Sequence, residues 1–271
     1  MGILNITPDS FSGDGLLQGK NSSETAGAAL RMAQNMVDCG ADLIDVGGES
    51  SRPGALNISE QEEIDRVAPV IRLLSKNLPV PVSVDTCKAS VAREGLENGA
   101  SLVNDISGLT GDSRMAPLIA SSGASVVIMH MKGTPATMQR TAVYHDLMGE
   151  IIEFFQNSIQ LARSAGIAGE KIILDPGIGF GKTVEHNLEI LRSLGSLKKL
   201  GYPILVGTSR KSFIGKILSD RPAGKRLWGT AATVALAIAN GADMIRAHDV
   251  AEMKDVVNVT DAVVTRRGGF R

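Results

Sequence analysis

A single (β/α)8 TIM barrel is the fold this sequence predicts, and three observations predict it. Short apolar runs rich in Val and Ile recur eight times along the 271 residues, at roughly 30-residue spacing. Stretches with helical periodicity, about ten residues or longer, separate most of these runs. The runs end in a Gly, carboxylate, amide or basic residue, as expected where a barrel collects its chemistry at the C-terminal ends of its strands.

In chain order the runs are Gly2-Ile3-Leu4-Asn5, Leu43-Ile44-Asp45-Val46-Gly47-Gly48, Val80-Pro81-Val82-Ser83-Val84-Asp85, Leu102-Val103-Asn104-Asp105, Val126-Val127-Ile128-Met129-His130, Ile172-Ile173-Leu174-Asp175, Ile204-Leu205-Val206-Gly207-Thr208-Ser209 and Met244-Ile245-Arg246-Ala247-His248. Each is too short for a helix and reads as a strand. Helices are predicted between them over Ala28 to Val37, Glu60 to Leu74, Leu147 to Ala162 and Leu188 to Leu200. Strand-helix alternation implies a parallel sheet. Gly40, Gly99, Gly123, Gly166 and Gly241 precede the next strand and fit left-handed residues that close a helix.

Size and composition favour one domain over residues 1–271. The chain is 43% hydrophobic and has no low-complexity tract, charge block or Pro/Ser-rich linker. No window approaches the roughly 18 apolar residues of a membrane span. The start, Met1-Gly2-Ile3, carries neither a basic leader nor a cleavage pattern, so a soluble cytoplasmic protein is expected. Because a strand-like run begins at residue 2, a trimmed lead-in segment stays open. The net charge of −1 provides no basic footprint for nucleic acid or membrane. Two cysteines, Cys39 and Cys87, do not make a disulfide framework and read as reduced.

Polar groups at strand ends converge on one mouth. Asp85, Asn104 and Asp175 suit a flat, polar heterocycle: a carboxylate accepts two parallel N–H bonds, and an amide adds a donor and an acceptor. The competing reading makes each a strand or helix cap, with Asp85-Thr86 as an N-cap opening the helix at Lys88. A second set is cationic. Arg52, Arg210, Lys211, Arg246 and His248 follow or end apolar runs, where they suit phosphate or carboxylate oxygens. Arg246 and His248 are two residues apart on a strand and so face the same ligand. His145 and His186 read as loop and helix-surface residues, and His130 stays open. No His or Cys pair has metal-ligand spacing. The glycine loops Gly47 to Gly54 and Asp175 to Lys182 form a third set. The latter is one residue short of a phosphate loop, and better serves close backbone approach, with Phe180 packing on an aromatic ligand or tucked into the rim.

Together, Asn5-Ile6-Thr7-Pro8-Asp9-Ser10-Phe11-Ser12, Gly47-Gly48-Glu49-Ser50-Ser51-Arg52-Pro53-Gly54, Val84-Asp85-Thr86, Asn104-Asp105-Ile106-Ser107-Gly108, Met129-His130-Met131, Asp175 to Lys182, Ser209-Arg210-Lys211-Ser212 and Arg246-Ala247-His248-Asp249 resemble the dihydropteroate synthase family. The likeness spans nearly the whole chain. It implies condensation of 6-hydroxymethyl-7,8-dihydropterin diphosphate with 4-aminobenzoate. By position it implies Asp85, Asn104, Asp175 and Lys211 for the pterin, with Ile106 and Met129 as apolar walls. Asn5 is implied as ligand of the Mg2+ that accompanies the diphosphate, and Arg52, Arg246 and His248 as anion contacts. Ser51, Pro53, Phe180, Lys211 and Ser212 would border the aminobenzoate.

Two departures bear on these assignments. Where the family reads Ser-Asp-Gly-Gly, this chain reads Ser12-Gly13-Asp14-Gly15, which displaces the acidic residue expected to stabilise the cation. Where the family reads Ser-Thr-Arg-Pro, this chain has Ser50-Ser51-Arg52-Pro53; the lost methyl changes sulfonamide contact by up to about 1 kcal/mol. A pterin-dependent methyl-transfer barrel would share the carboxylates and amide but has no use for the cationic set. A barrel that binds pterin without turnover is the alternative outside enzymology. The late helices, around Gly229 to Asn240 and Met253 to Val264, offer small and apolar faces for a homodimer.

Overall fold

The computed structural model describes residues 1–7, 22–50, 57–134, 138 and 142–264. Eight strands alternate with helices: β1 (Gly2–Asn5), α1 (Ser22–Asp38), β2 (Ile44–Gly47), α2 (Glu60–Asn77), β3 (Val82–Asp85), α3 (Ala89–Glu97), β4 (Leu102–Asp105), α4 (Met115–Ser122) and β5 (Ser125–Met129), followed by α5 (Leu147–Ser164), β6 (Ile172–Asp175), α6 (Val184–Arg192), α7 (Leu194–Lys198), β7 (Leu205–Val206), α8 (Ser212–Ile217), α9 (Leu227–Ala239), β8 (Met244–Ile245) and α10 (Val250–Val264). Strands β1 to β6 form one parallel sheet in sequence order, and β7 pairs with β8. Single parallel bridges, Leu174 to Ile204 and Gly2 to Ala247, join that pair to β6 and β1 and carry the strands around a ring. The Ile3 N–H donates to the Ala247 carbonyl at 3.1 Å, and the Ala247 N–H to that of Met1 at 3.0 Å.

Side chains alternate across each strand, so the barrel has two apolar layers. Outward residues such as Ile44, Val46, Val84, Val103, Ile128, Leu174 and Val206 pack in one large core with the helices. Inward residues Leu43, Leu102, Val127 and Leu205 form a separate cluster with Met1, Ile173 and Met244. Asn5, Gly47, Asp85, Asn104, Met129 and Asp175 lie in the inward phase at the C-terminal ends. The five glycines expected to close helices all have positive φ, from 69° at Gly123 to 110° at Gly241.

Local chemistry sets the helix boundaries. Ser59 and Asp146 cap α2 and α5 by accepting the Glu62 and Gly149 N–H groups. The helix expected over Leu188 to Leu200 is instead two, broken at Ser193, whose N–H is shared between the Glu189 and Ile190 carbonyls. His186 belongs to a capping box at the start of α6, where its ring accepts the Thr183 N–H. The last two strands are shorter than expected, two residues each. Among the described residues, no helix is long and apolar enough to cross a membrane.

Candidate active site

At the C-terminal ends of the strands, the inward residues enclose a cavity of about 330 Å3. Asn5, Asp85, Asn104, Ile106, Met129, Asp175, Phe180, Lys211, Ser212, Arg246 and His248 all line it. The residues predicted from separate strands and loops are therefore one constellation. Asp14, Ser51, Arg52 and Pro53 lie outside the described residues.

The cavity floor is a charge network. Arg246 donates from Nε to the Asp45 carboxylate at 2.6 Å and from Nη2 to Asp85 at 2.7 Å. Asn104 donates from Nδ2 to the same Asp45 oxygen at 3.1 Å. Burial first, and then the charge of Asp45, push the Asp85 carboxyl up to about 7 against the pull of Arg246. Asp85 thus faces the cavity and is no helix cap. At the start of α3 it is Thr86 that accepts the Lys88 N–H, at 3.2 Å, and Asp112 that accepts the Ala89 N–H, at 3.0 Å.

Asp175 ends β6 and accepts the Gly177 N–H at 2.7 Å, while burial holds its pKa above the ordinary carboxylate value. The ammonium of Lys211 lies 4.1 Å over the Phe180 ring. Burial and the neighbouring Arg246 bring Lys211 down to about 8, although Asp175 and Asp85 oppose that shift. Phe180 is 9% exposed and packs with Met129, Met138, Ile106 and Met131, so it both tucks into the rim and walls the cavity.

Backbone approach explains the glycine loop after β6. A side chain at Gly177, where φ is 68°, would run into the His130 carbonyl. The buried Lys182 clamps the loop, donating to the Phe180 carbonyl at 2.9 Å and the His130 carbonyl at 3.2 Å, and meeting His130 Nδ1 at 2.9 Å. Burial lowers Lys182 to about 7 and His130 to about 2, so His130 is a neutral, structural acceptor.

Arg246 and His248 share the cavity side of the chain, while Ala247 packs behind them among Val234, Ile238 and Met253. Ser209 Oγ accepts the His248 backbone N–H at 3.1 Å and lies 2.9 Å from Nδ1. Ser209 thus holds the ring through Nδ1, leaving Nε2 as the ring nitrogen it does not touch. Burial, with Arg246 next, pushes His248 down to about 3. Arg210 falls outside the cavity lining. Its positive φ turns the side chain to an ion pair with Asp249 at 2.5 Å.

Sequence reasoning missed several participants. Asp45 and Ser83 lie inside the barrel one layer below the mouth, in the same inward phase as Gly47 and Asp85. A charged residue at an inward mid-strand position was the available signal. Glu49 and Ser50 line the cavity and lead into the undescribed segment. Glu49 accepts the Ile58 N–H at 2.9 Å and pairs with Lys88 at 3.1 Å, tying both flanks of that segment together.

The chain matches the family described as pterin binding enzymes over residues 1–248. It is 50% identical over 263 residues to the dihydropteroate synthase of Synechocystis sp., covering 97% of this chain and 89% of that protein. A Clostridium difficile dihydropteroate synthase crystallised in the presence of pteroic acid superposes with a TM-score of 0.88 at 48% identity, covering 97% of this chain and 95% of that one. The Yersinia pestis dihydropteroate synthase in complex with a sulfonamide drug superposes with a TM-score of 0.92 at 45% identity, covering 98% and 94% of the two chains.

Proposed function

The chain belongs to the dihydropteroate synthases, a family of pterin-binding enzymes, and from that premise we propose that its mouth condenses 6-hydroxymethyl-7,8-dihydropterin diphosphate with 4-aminobenzoate. The products are 7,8-dihydropteroate and diphosphate, on the route to folate. The observation that carries this reading is the convergence of Asp85, Asn104, Asp175, Lys211 and Arg246 in one cavity. Carboxylate and amide groups at the end of a half-enclosed slot match the donor-rich edge of a pterin. Ile106 and Met129 flank the ring plane. Phe180, Lys211 and Ser212, with Ser51 and Pro53, border the aminobenzoate.

The substitution is dissociative in character. The C–O bond to diphosphate breaks with its electron pair, the dihydropterin delocalises the positive charge, and Asp85, Asp175 and Asp14 stabilise it. The aromatic amine, held against the exocyclic carbon, forms the C–N bond and sheds one proton. Arg52, Arg246 and His248 receive the departing anion. No nucleophilic side chain is needed.

Asn5 is the residue that would hold Mg2+. It ends β1 at the cavity, and one amide oxygen suits an ion that takes few protein ligands and shares substrate phosphate oxygens. When bound, Mg2+ supplies charge neutralisation on the leaving diphosphate. Sulfonamides, as aminobenzoate mimics, compete at the Phe180 side of the cavity. Trp228, Leu236, Val259 and Val263 are exposed apolar side chains on α9 and α10, and we assign them to a homodimer contact in the cytoplasm. A monomer by sedimentation at micromolar concentration would remove that assignment.

The test is to follow dihydropteroate by chromatography and diphosphate release with and without 4-aminobenzoate. One dihydropteroate per diphosphate, a chelator-sensitive rate and slow release without the amine support this reading. Pterin diphosphate binding without product would replace it with a binding-only barrel. Release that requires the amine and tracks its basicity would replace the dissociative path with a concerted one.

A further inference from the structure

Asp45 lies halfway along β2, inside the barrel, and is 0% exposed. Its register partners on the flanking strands are Ile3 of β1 and Ser83 of β3, and the carboxylate is closed off from solvent inside the barrel. A carboxylate there is expensive to desolvate and would ordinarily be replaced by an apolar residue without loss of stability. Its bonding is specific. One oxygen accepts the Ser83 hydroxyl, and the other accepts both Arg246 Nε and Asn104 Nδ2. Asp45 is absent from the cavity lining, yet two of its three partners belong to it.

The strand register explains how one group reaches so many. Asp45 pairs with Ser83, Gly47 with Asp85, and Asp85 with Asn104, so Asp45 sits one layer beneath the mouth. Gly47, directly above it, has no side chain to screen it from Asp85 and Arg246. The Arg246 guanidinium is consequently strung between two carboxylates and cannot turn toward either alone. The Asn104 amide is oriented by the same oxygen, with its NH2 directed down and its carbonyl oxygen on the opposite branch of the amide.

We propose that Asp45 is a positioning residue for the pterin half of the reaction: it holds Arg246 and Asn104 in the one arrangement that complements the ring, without touching the ring itself. This inference rests on the reading of the cavity as the pterin site. Removing the charge frees Arg246 to pair wholly with Asp85 and releases the Asn104 amide to rotate, so two pterin contacts are lost through one substitution.

An electrostatic consequence separates this role from a merely structural one. The charged groups that face Asp85 are Asp45 from β2, Glu63 from α2, Asp105 from β4, Lys211 from the segment after β7, and Arg246 from the end of β8. Of these charges, Asp45 acts most strongly to raise the Asp85 pKa and Arg246 most strongly to lower it. Neutralising Asp45 therefore moves Asp85 downward twice over, by deleting a like charge and by freeing its counter-charge.

The experiment uses the full chain with Asp45→Asn, which keeps size and shape, and Ser83→Ala, which removes only the hydroxyl that anchors Asp45. The readouts are both KM values, kcat, the affinity for 6-hydroxymethylpterin by fluorescence, and the pH profile of kcat/KM. For Asp45→Asn the KM for pterin diphosphate and the Kd for 6-hydroxymethylpterin rise by about tenfold or more, while the KM for 4-aminobenzoate stays within about twofold. The acid limb of kcat/KM moves to lower pH. Ser83→Ala, which keeps the Asp45 charge, raises the pterin KM and Kd by a few fold and leaves the acid limb in place. Unchanged pterin affinity with an unmoved acid limb overturns the proposal, as does an equal rise of both KM values. Should Asp45→Asn fail to fold, Ser83→Ala decides by the pterin Kd and the two KM values: unchanged pterin affinity, or an equal rise of both KM values, overturns the proposal. Failure of the functional reading is distinguishable, because the unsubstituted chain would then make no dihydropteroate at all.

Discussion

The two ends of this barrel are built from the same strands by the same alternation, yet they carry opposite chemistry. At the N-terminal end, a cavity of about 460 Å3 is lined by Met1, Leu43, Leu102, Met244 and Ile245; of its charged residues, Lys254 pairs with Asp42 at 3.2 Å, and Asp243 pairs with Lys198 outside the lining at 2.6 Å. At the C-terminal end, a smaller cavity of about 330 Å3 gathers Asp85, Asp175, Lys211 and Arg246. Size does not mark the site. What marks it is the set of titratable groups displaced from their ordinary pKa values and converging from different strands.

Substitutions at the two ends sharpen that contrast most strongly. Asp175→Asn keeps the Gly177 contact available but removes the charge that accepts paired N–H donors, and kcat/KM for pterin diphosphate should fall at least about 100-fold. Lys254→Ala at the other end removes a partly exposed ion pair, so steady-state kinetics should stay within about twofold of the parent. Comparable losses from both would break the comparison.

Lys182 tests the wall between strands β5 and β6. Its folded-state pKa is about 7 against an ordinary 10.5, so between those values the unfolded chain binds the additional proton and the folded chain does not. Stability therefore rises with pH across that window. Lys182→Met should flatten the rise in denaturant titrations, and leaving the Phe180 and His130 acceptors without their donor should destabilise the fold by about 2 kcal/mol. An unchanged slope would mean that another group carries it.

Phe180→Ala is the smallest of these effects. It deletes the ring under Lys211 and should raise the KM for 4-aminobenzoate about fivefold while leaving that for pterin diphosphate nearly unchanged. A larger change in the pterin value would move the boundary between the two subsites.

Much of the mouth was legible in the sequence because strand ends are where alternation and chemistry coincide. Asp85, Asn104 and Asp175 end β3, nearly end β4 and end β6, and the inward phase that buries Leu102 and Ile173 also aims these residues at one another. Asp45 escaped notice for a matching reason. It is mid-strand, and only the three-dimensional closure of β8 onto β1 brings Arg246 to it across 201 positions of sequence. Lys182 was read only as part of a near-miss phosphate loop, because its partners are carbonyl oxygens that no pattern of side chains records. Arg210 misled in the other direction. A positive φ at one residue turned it from the cavity toward Asp249, and backbone conformation at a non-glycine turn leaves little trace in composition.

The most direct measurement is a crystal structure of the chain with 6-hydroxymethylpterin. The account expects the ring in the C-terminal cavity, its donor-rich edge within hydrogen-bond distance of Asp175, with Asp85 and Asn104 lining the slot and the Arg246–Asp45 pair intact beneath it. A ring bound among Leu43, Leu102 and Met244 at the N-terminal end, or one that leaves Asp175 and Asp85 without contact, would contradict it.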